Sequence, residues 1–143
     1  MTTDIYSSLQ YLPCDIYEQH LNVARSAAYT HLVDMMDQLI ASCSSKEPMY
    51  LLQNASDVEL AYTPRIRAFV EAIITRLHQH GKPVRLALVL PSSAGSCTDF
   101  MNCLLRQRET EQIRHMCFNT RDEAVAWLQS LQARESRPAA LGI

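Results

Sequence analysis

The run Pro83-Val84-Arg85-Leu86-Ala87-Leu88-Val89-Leu90-Pro91 constrains this chain more than any other stretch. Between its two prolines there is too little chain for a helix to be stable on its own, and each boundary is a breaker. The segment therefore reads as a strand. Arg85 apart, both of its faces are apolar, which predicts a central strand roofed by helices on at least one side. The segments before and after it must supply that roof.

They carry the right pattern. Upstream, Thr63 is placed to cap a helix that starts on Pro64, where a missing N–H costs nothing. Ile66, Phe69, Val70, Ile73, Ile74 and Leu77 then form one apolar stripe, with Arg65, Arg67, Glu71, Arg76 and Gln79 facing water. Gly81 is positioned to close this helix in the left-handed conformation, and Pro83 follows. Earlier in the chain, Ser26 reads as a cap before Tyr29, Leu32, Val33, Met36, Leu39, Ile40 and Cys43, an amphipathic helix by its three- and four-residue steps. Downstream, Ser92 to Gly95 read as a loop. Ser96-Cys97-Thr98-Asp99 fits a capping box ahead of Phe100, Met101, Leu104 and Leu105, and Thr120-Arg121-Asp122-Glu123 is a second box opening a last helix. Ala124, Trp127, Leu128 and Leu131 share a face of that helix, and 132–143 read as a loose tail.

Four further strands are expected. Ser8 to Leu12 and Ile16 to Val23 flank Pro13-Cys14-Asp15, a hairpin turn by composition. The second of them alternates imperfectly, which favours an edge position. Met49 to Leu52, reaching towards Asn54, and Ile113 to Phe118 complete the set. The order is β-β-α-β-α-β-α-β-α over residues 8–131, a single domain. Right-handed crossovers between such strands imply a mixed α/β sheet of four or five strands, flanked by four helices, with an antiparallel hairpin at one side.

Composition narrows the function classes. A chain of 143 residues with 48% hydrophobic and 20% charged residues suits one globular domain. Its formal net charge of −2 supplies no general attraction for nucleic acid or an anionic membrane. No apolar stretch approaches the roughly 20 residues of a membrane-spanning helix, and the N-terminus lacks the pattern of a secretory signal. The five cysteines, at 14, 43, 97, 103 and 117, include no tight pair. Buried free thiols in a reducing cytoplasm explain them better than a disulfide framework.

The segment Phe118-Asn119-Thr120-Arg121-Asp122-Glu123-Ala124-Val125-Ala126-Trp127-Leu128 resembles the closing part of the SpoIIAA-like superfamily, which includes STAS domains and STAS/SEC14-type stand-alone proteins. The upstream order is similar, and the resemblance spans roughly 8–131. It implies a mixed sheet flanked by helices that serves as an interaction or ligand-binding module. In the anti-sigma-factor antagonists of that superfamily, a phosphorylatable serine sits in an Asp-Ser-Ser-Gly-like turn. The matching turn here is Ala61-Tyr62-Thr63-Pro64, so only Thr63 stands in as a phospho-acceptor, and the aspartate and glycine are absent.

Thr63 has two readings: a helix cap, or a hydroxyl whose phosphate the helix N-terminus would stabilise. If the strands at 49–54 and 84–90 are adjacent and parallel, Asn54, Ser56, Tyr62, Thr63, Ser92, Ser93 and Ser96 would gather where open α/β sheets bind ligands, above two helix N-termini suited to a small anion. The loop Ser92–Ser96 lacks a Walker lysine and a dinucleotide fingerprint, and its polarity is also that of an ordinary connection.

The histidines at 20, 31, 78, 80 and 115 do not have metal-site spacing, and His78 and His80 are read as partners for the last carbonyls of their helix. Cys97, near a helix N-terminus, would have a lowered pKa, but no histidine is identified as its activator. Trp127 reads as a seal between helix and sheet, and Arg106, Arg108 and Arg114 as a solvated rim. No acid–base pair, nucleophile set, metal cluster or cofactor motif can be assembled. The expectation is a cytoplasmic, non-catalytic interaction module acting on a protein partner or as a homodimer, through an exposed helix or strand edge. The alternative is a binding protein for a small ligand (anion, nucleotide or lipid) that uses the strand-end loops.

Overall fold

The chain runs β1 (Ser7–Tyr11), β2 (Tyr17–Leu21), α1 (Ser26–Ser42), β3 (Met49–Asn54), α2 (Pro64–His80), β4 (Val84–Val89), α3 (Gly95–Arg106), β5 (Ile113–Phe118) and α4 (Arg121–Glu135). This is a computed structural model that describes residues 7–22, 26–43, 46–56, 64–90 and 95–135, with backbone alone at 7, 26, 64–66 and 95–100. The strand between the prolines is the buried ribbon its composition demands: every residue of β4 is buried, and it pairs in parallel with β3 on one side and β5 on the other. Arg85, its one charge, lies against α4, where its Nε donates to Glu135 at 2.7 Å and its Nη1 to the carbonyl of Gln112 at 2.7 Å.

The sheet order is β1-β2-β3-β4-β5, with β1 antiparallel to β2 and the remaining neighbours parallel. Since the parallel strands advance in one direction, right-handed crossovers place their connecting helices on the same face. There Leu32, Met36 and Ile40 of α1, Val70, Ile73 and Leu77 of α2, and Met101 and Leu105 of α3 close over Leu51, Leu86, Leu88 and Cys117. α4 is the last element among the described residues. It crosses the other face, where Ala124 and Leu128 pack on Leu52, Ala87 and Val89, with Ile16 and Leu12 beside them.

Local signals set most boundaries. Pro64 is the first residue of α2, and Gly81 ends it at φ 66, a conformation that costs an L side chain energy. The Thr120 cap forms: Thr120 Oγ1 accepts from the Glu123 backbone at 3.2 Å, and its hydroxyl, not its backbone N–H, donates to the Glu123 carboxylate at 2.9 Å. Pro13-Cys14-Asp15 forms the hairpin turn, with the Leu12 amide donating to Ile16 at 2.8 Å and Asp15 at φ 62. An Asp tolerates that left-handed position better than most residues. The C-terminal end of α1 is closed from a distance: Lys82 Nζ donates to the carbonyls of Ile40 at 2.8 Å and Cys43 at 2.9 Å.

The expectations fail in places. β2 is not an edge strand but lies between β1 and β3. Its imperfect alternation reflects burial on both faces, with its polar side chains paired internally: Gln53 donates to Gln19 at 2.9 Å, and Gln19 to the Leu32 carbonyl of α1 at 3.0 Å. α3 begins at Gly95, one residue before the expected cap at Ser96. α4 runs to Glu135 instead of yielding to a tail at Gln132, because Gln132 donates to the Cys14 carbonyl at 2.7 Å and Glu135 holds Arg85. No helix among the described residues is long and apolar enough to cross a membrane, and the cysteines described there (14, 43, 103 and 117) are free thiols.

Candidate functional site

The carboxyl end of the sheet is organised around Glu18. β2 directs this side chain towards α4, whose first residue, Arg121, meets it in a fork: Nη2 to Oε1 at 2.8 Å and Nε to Oε2 at 3.0 Å. Asn54, at the end of the neighbouring strand β3, donates to the same carboxylate at 3.2 Å. Its carbonyl oxygen meanwhile accepts from the backbone N–H of Ser56 at 2.9 Å and from the Ser56 hydroxyl at 2.6 Å, an Asx-type turn. Burial pushes the Glu18 carboxyl up, but Arg121 and Asn54 together outweigh it, and the group stays below the usual carboxylate range. These polar groups are therefore spent on one another, and they fasten α4 to the first parallel pair of the sheet.

β3 and β4 are adjacent and parallel, as the proposed pocket requires. Tyr62, Thr63, Ser92 and Ser93 lie outside the described residues. Ser96 falls in the first turn of α3, its side chain also outside them, as is that of Cys97. Asn54 and Ser56 are brought together, in the turn just described. The parallel strands run in sequence order with no reversal. A doubly wound sheet owes its ligand crevice to such a reversal, so that source of a pocket is missing here.

At the opposite end, an open groove of about 450 Å³ is lined by Arg85, Glu109, Thr110, Glu111, Arg114 and Glu135. Both of its arginines are paired: Arg85 to Glu135 at 2.7 Å and, loosely, Arg114 to Glu109 at 3.9 Å. Tyr50 also donates to Glu135, at 2.7 Å. The groove is thus a seam between α4 and the β5 entrance rather than a set of unpaired charges. Arg114, taken from the sequence as solvated rim, forms part of its wall.

The two margins of the sheet differ sharply. On β5, the carbonyl of Phe118 accepts from Leu90 beyond β4, so the backbone of the preceding residue, Cys117, points outward. Asn102 of α3 meets it with both ends of its amide: Nδ2 donates to the Cys117 carbonyl at 3.1 Å, and the Cys117 N–H donates to Oδ1 at 2.7 Å. A side-chain amide thereby stands in for the next strand's peptide. Further back, Ile113 exchanges bonds of 3.0 Å with Thr110, its N–H donating to Oγ1 and its carbonyl accepting the Thr110 N–H. This margin is sealed at both ends.

β1 has no such cover among the described residues. The bond from Leu12 to Ile16, taken with the register Gln10↔Glu18 and Ser8↔His20, turns the peptide groups of Ser7, Leu9 and Tyr11 away from β2. Leu9 is 41% exposed and Tyr11 55%, both large apolar side chains in the open. The strand, Ser-Ser-Leu-Gln-Tyr, carries none of the lysines, prolines or bulges with which natural sheets blunt an edge. Tyr11 is steadied by its ring contact with Tyr17, 4.6 Å between centroids, and its hydroxyl donates to Asp15. That bond to the Asp15 carboxylate pushes the phenol up to about 12, so Tyr11 adds no charge to the edge at neutral pH.

The histidines take other roles than those expected. His80 does not cap its own helix: its ring bonds Asp37 of α1 at 2.8 Å. His78 stands edge-on to His115 of β5, with ring centroids 6.2 Å apart. Among the described residues, no group of three or more metal-ligating side chains is assembled. Trp127 packs on Phe118 at 5.7 Å.

Sequence reasoning missed Glu18 and Asn102. Nothing local links Glu18 to Arg121 across 103 positions. Asn102 did leave a signal, an asparagine inside an amphipathic helix where its propensity is poor. Compared with protein-family models, curated proteins and solved structures, the chain matches none of them.

Proposed function

We propose that this chain is a non-catalytic interaction module, of the SpoIIAA/STAS-like kind that its closing segment resembles, and that it works through the outer edge of β1. One observation carries this reading: of the two margins of a single sheet, one is sealed by dedicated side chains while the other, among the described residues, has no partner for its outward peptide groups beside exposed Leu9 and Tyr11. An edge left in that state is a template for an added strand, with main-chain bonds giving affinity and alternate side chains giving specificity. The five-stranded mixed sheet with helices on both faces is in keeping with the resemblance. Ligand binding at the carboxyl end has less support, since Glu18, Arg121, Asn54 and Ser56 satisfy one another there.

Affinity capture from the native cell tests the reading, with the wild-type chain and Leu9→Lys as parallel baits. Leu9 is exposed, so the substitution should leave folding intact while placing a charge on the edge. Proteins held by the wild type and lost with Leu9→Lys are the expected result. Equal recovery with both baits contradicts it.

A further inference from the structure

We infer that the strand received by β1 is the β1 of a second copy, the two sheets joining across a two-fold axis at Leu9. This rests on the edge being an interaction surface, and it names the occupant. The outward residues of β1 are Ser7, Leu9 and Tyr11. An antiparallel partner related by an axis at Leu9 sets Leu9 against Leu9 and Tyr11 against Ser7 in both directions, so the whole of Ser7–Tyr11 pairs with itself. Such a contact is isologous and closes on two chains, which avoids the open-ended association that an unprotected edge otherwise invites.

Charge decides between a second copy and a foreign strand. Self-pairing in this register sets position 9 against itself and 8 against 10, and like charges facing each other across strands destabilise. A strand free of charge is what self-pairing needs, and Ser-Ser-Leu-Gln-Tyr has none. The formal net charge of −2 on the chain adds little long-range repulsion. Leu9 and Leu9 of the copy would lie on the α1 side of the joined sheet, the side to which Gln19, the cross-strand neighbour of Leu9, points. Each shields the other there, with Tyr11 flanking. The other margin cannot do the same while Asn102 holds the Cys117 peptide.

Sedimentation equilibrium of the purified full chain over a concentration series provides the test. The wild type should approach twice the 16.2 kDa of one chain, and Leu9→Lys should lose half of that mass while keeping the wild-type circular dichroism. Leu9→Pro, which removes an outward N–H without touching a bond to β2, should behave the same way. A wild type that stays at one chain's mass at all concentrations overturns the inference, as does a dimer that survives both substitutions. The first of these results still leaves the edge open to a foreign strand: edge-dependent capture would then stand without self-pairing, whereas loss of both would remove the edge reading altogether.

Discussion

His115 shows how a single residue adjusts the stability of this sheet. It sits on β5, facing the crossover helices and buried there, where burial pushes its imidazole down to about 4, with the neighbouring His78 and Arg108 adding to the effect and its own backbone opposing it. Burial likewise lowers His78, again with Arg108 contributing. The folded state therefore holds His115 neutral while the unfolded chain takes up a proton near pH 6.5. Stability is complete above that value, declines as the pH falls, and has lost its full share by about pH 4. The loss amounts to about 3 kcal/mol for a shift of this size. Chemical denaturation followed between pH 7 and pH 4 should show this decline, and His115→Phe should flatten much of it. An unchanged acid limb in the variant would place the titration elsewhere. Residues with local roles were legible in the sequence: Gly81 at its left-handed stop, Pro64 at its helix start, Thr120 and Glu123 in their box. Residues whose partners lie far along the chain were not, as Glu18 with Arg121 and Lys82 with the end of α1 demonstrate.

Among the elements, the helices were read more accurately than the strand margins. A helix announces its buried face by its own period, whereas whether a strand lies inside a sheet or at its edge depends on which neighbours arrive. The imperfect alternation of β2 suggests an edge, yet its Glu18 and Gln19 are both buried and hydrogen-bonded. α4 was cut short at Leu131 because Gln132 and Glu135 look like solvent residues; their partners, the Cys14 carbonyl and Arg85, are far away in sequence. α3 has a second task besides covering the core, since Asn102 closes the β5 margin. Asn102→Ala leaves the outward N–H and carbonyl of Cys117 without that partner, at a cost of about 1–3 kcal/mol. Thermal melts should detect the loss. The same variant should also aggregate more readily on standing, because it creates a second open edge. Wild-type stability together with wild-type solubility would mean that water replaces the amide at no cost.

For the whole molecule, the proline-bounded run and the amphipathic segments around it imply the layered architecture. A strand apolar on both faces apart from Arg85 must be roofed on at least one side, and the amphipathic segments beside it could pack in few ways. That three crossover helices share one face follows from the unreversed strand order, which composition alone does not encode; α4 packs on the other face. The expected ligand site at 62–63 and 92–96 falls largely outside the described residues, whereas the edge at Ser7–Tyr11 was visible in the sequence only as a short uncharged strand. Amide hydrogen exchange, measured on the wild-type chain when dilute and when concentrated, tests most directly whether the two margins differ as described. The amides of Ile113 and Cys117 should be protected under both conditions, and those of Leu9 and Tyr11 should exchange rapidly in dilute solution and slow as concentration rises. Leu9 and Tyr11 amides already protected in dilute solution, or a Cys117 amide that exchanges freely, would contradict a sheet with one sealed edge and one open edge.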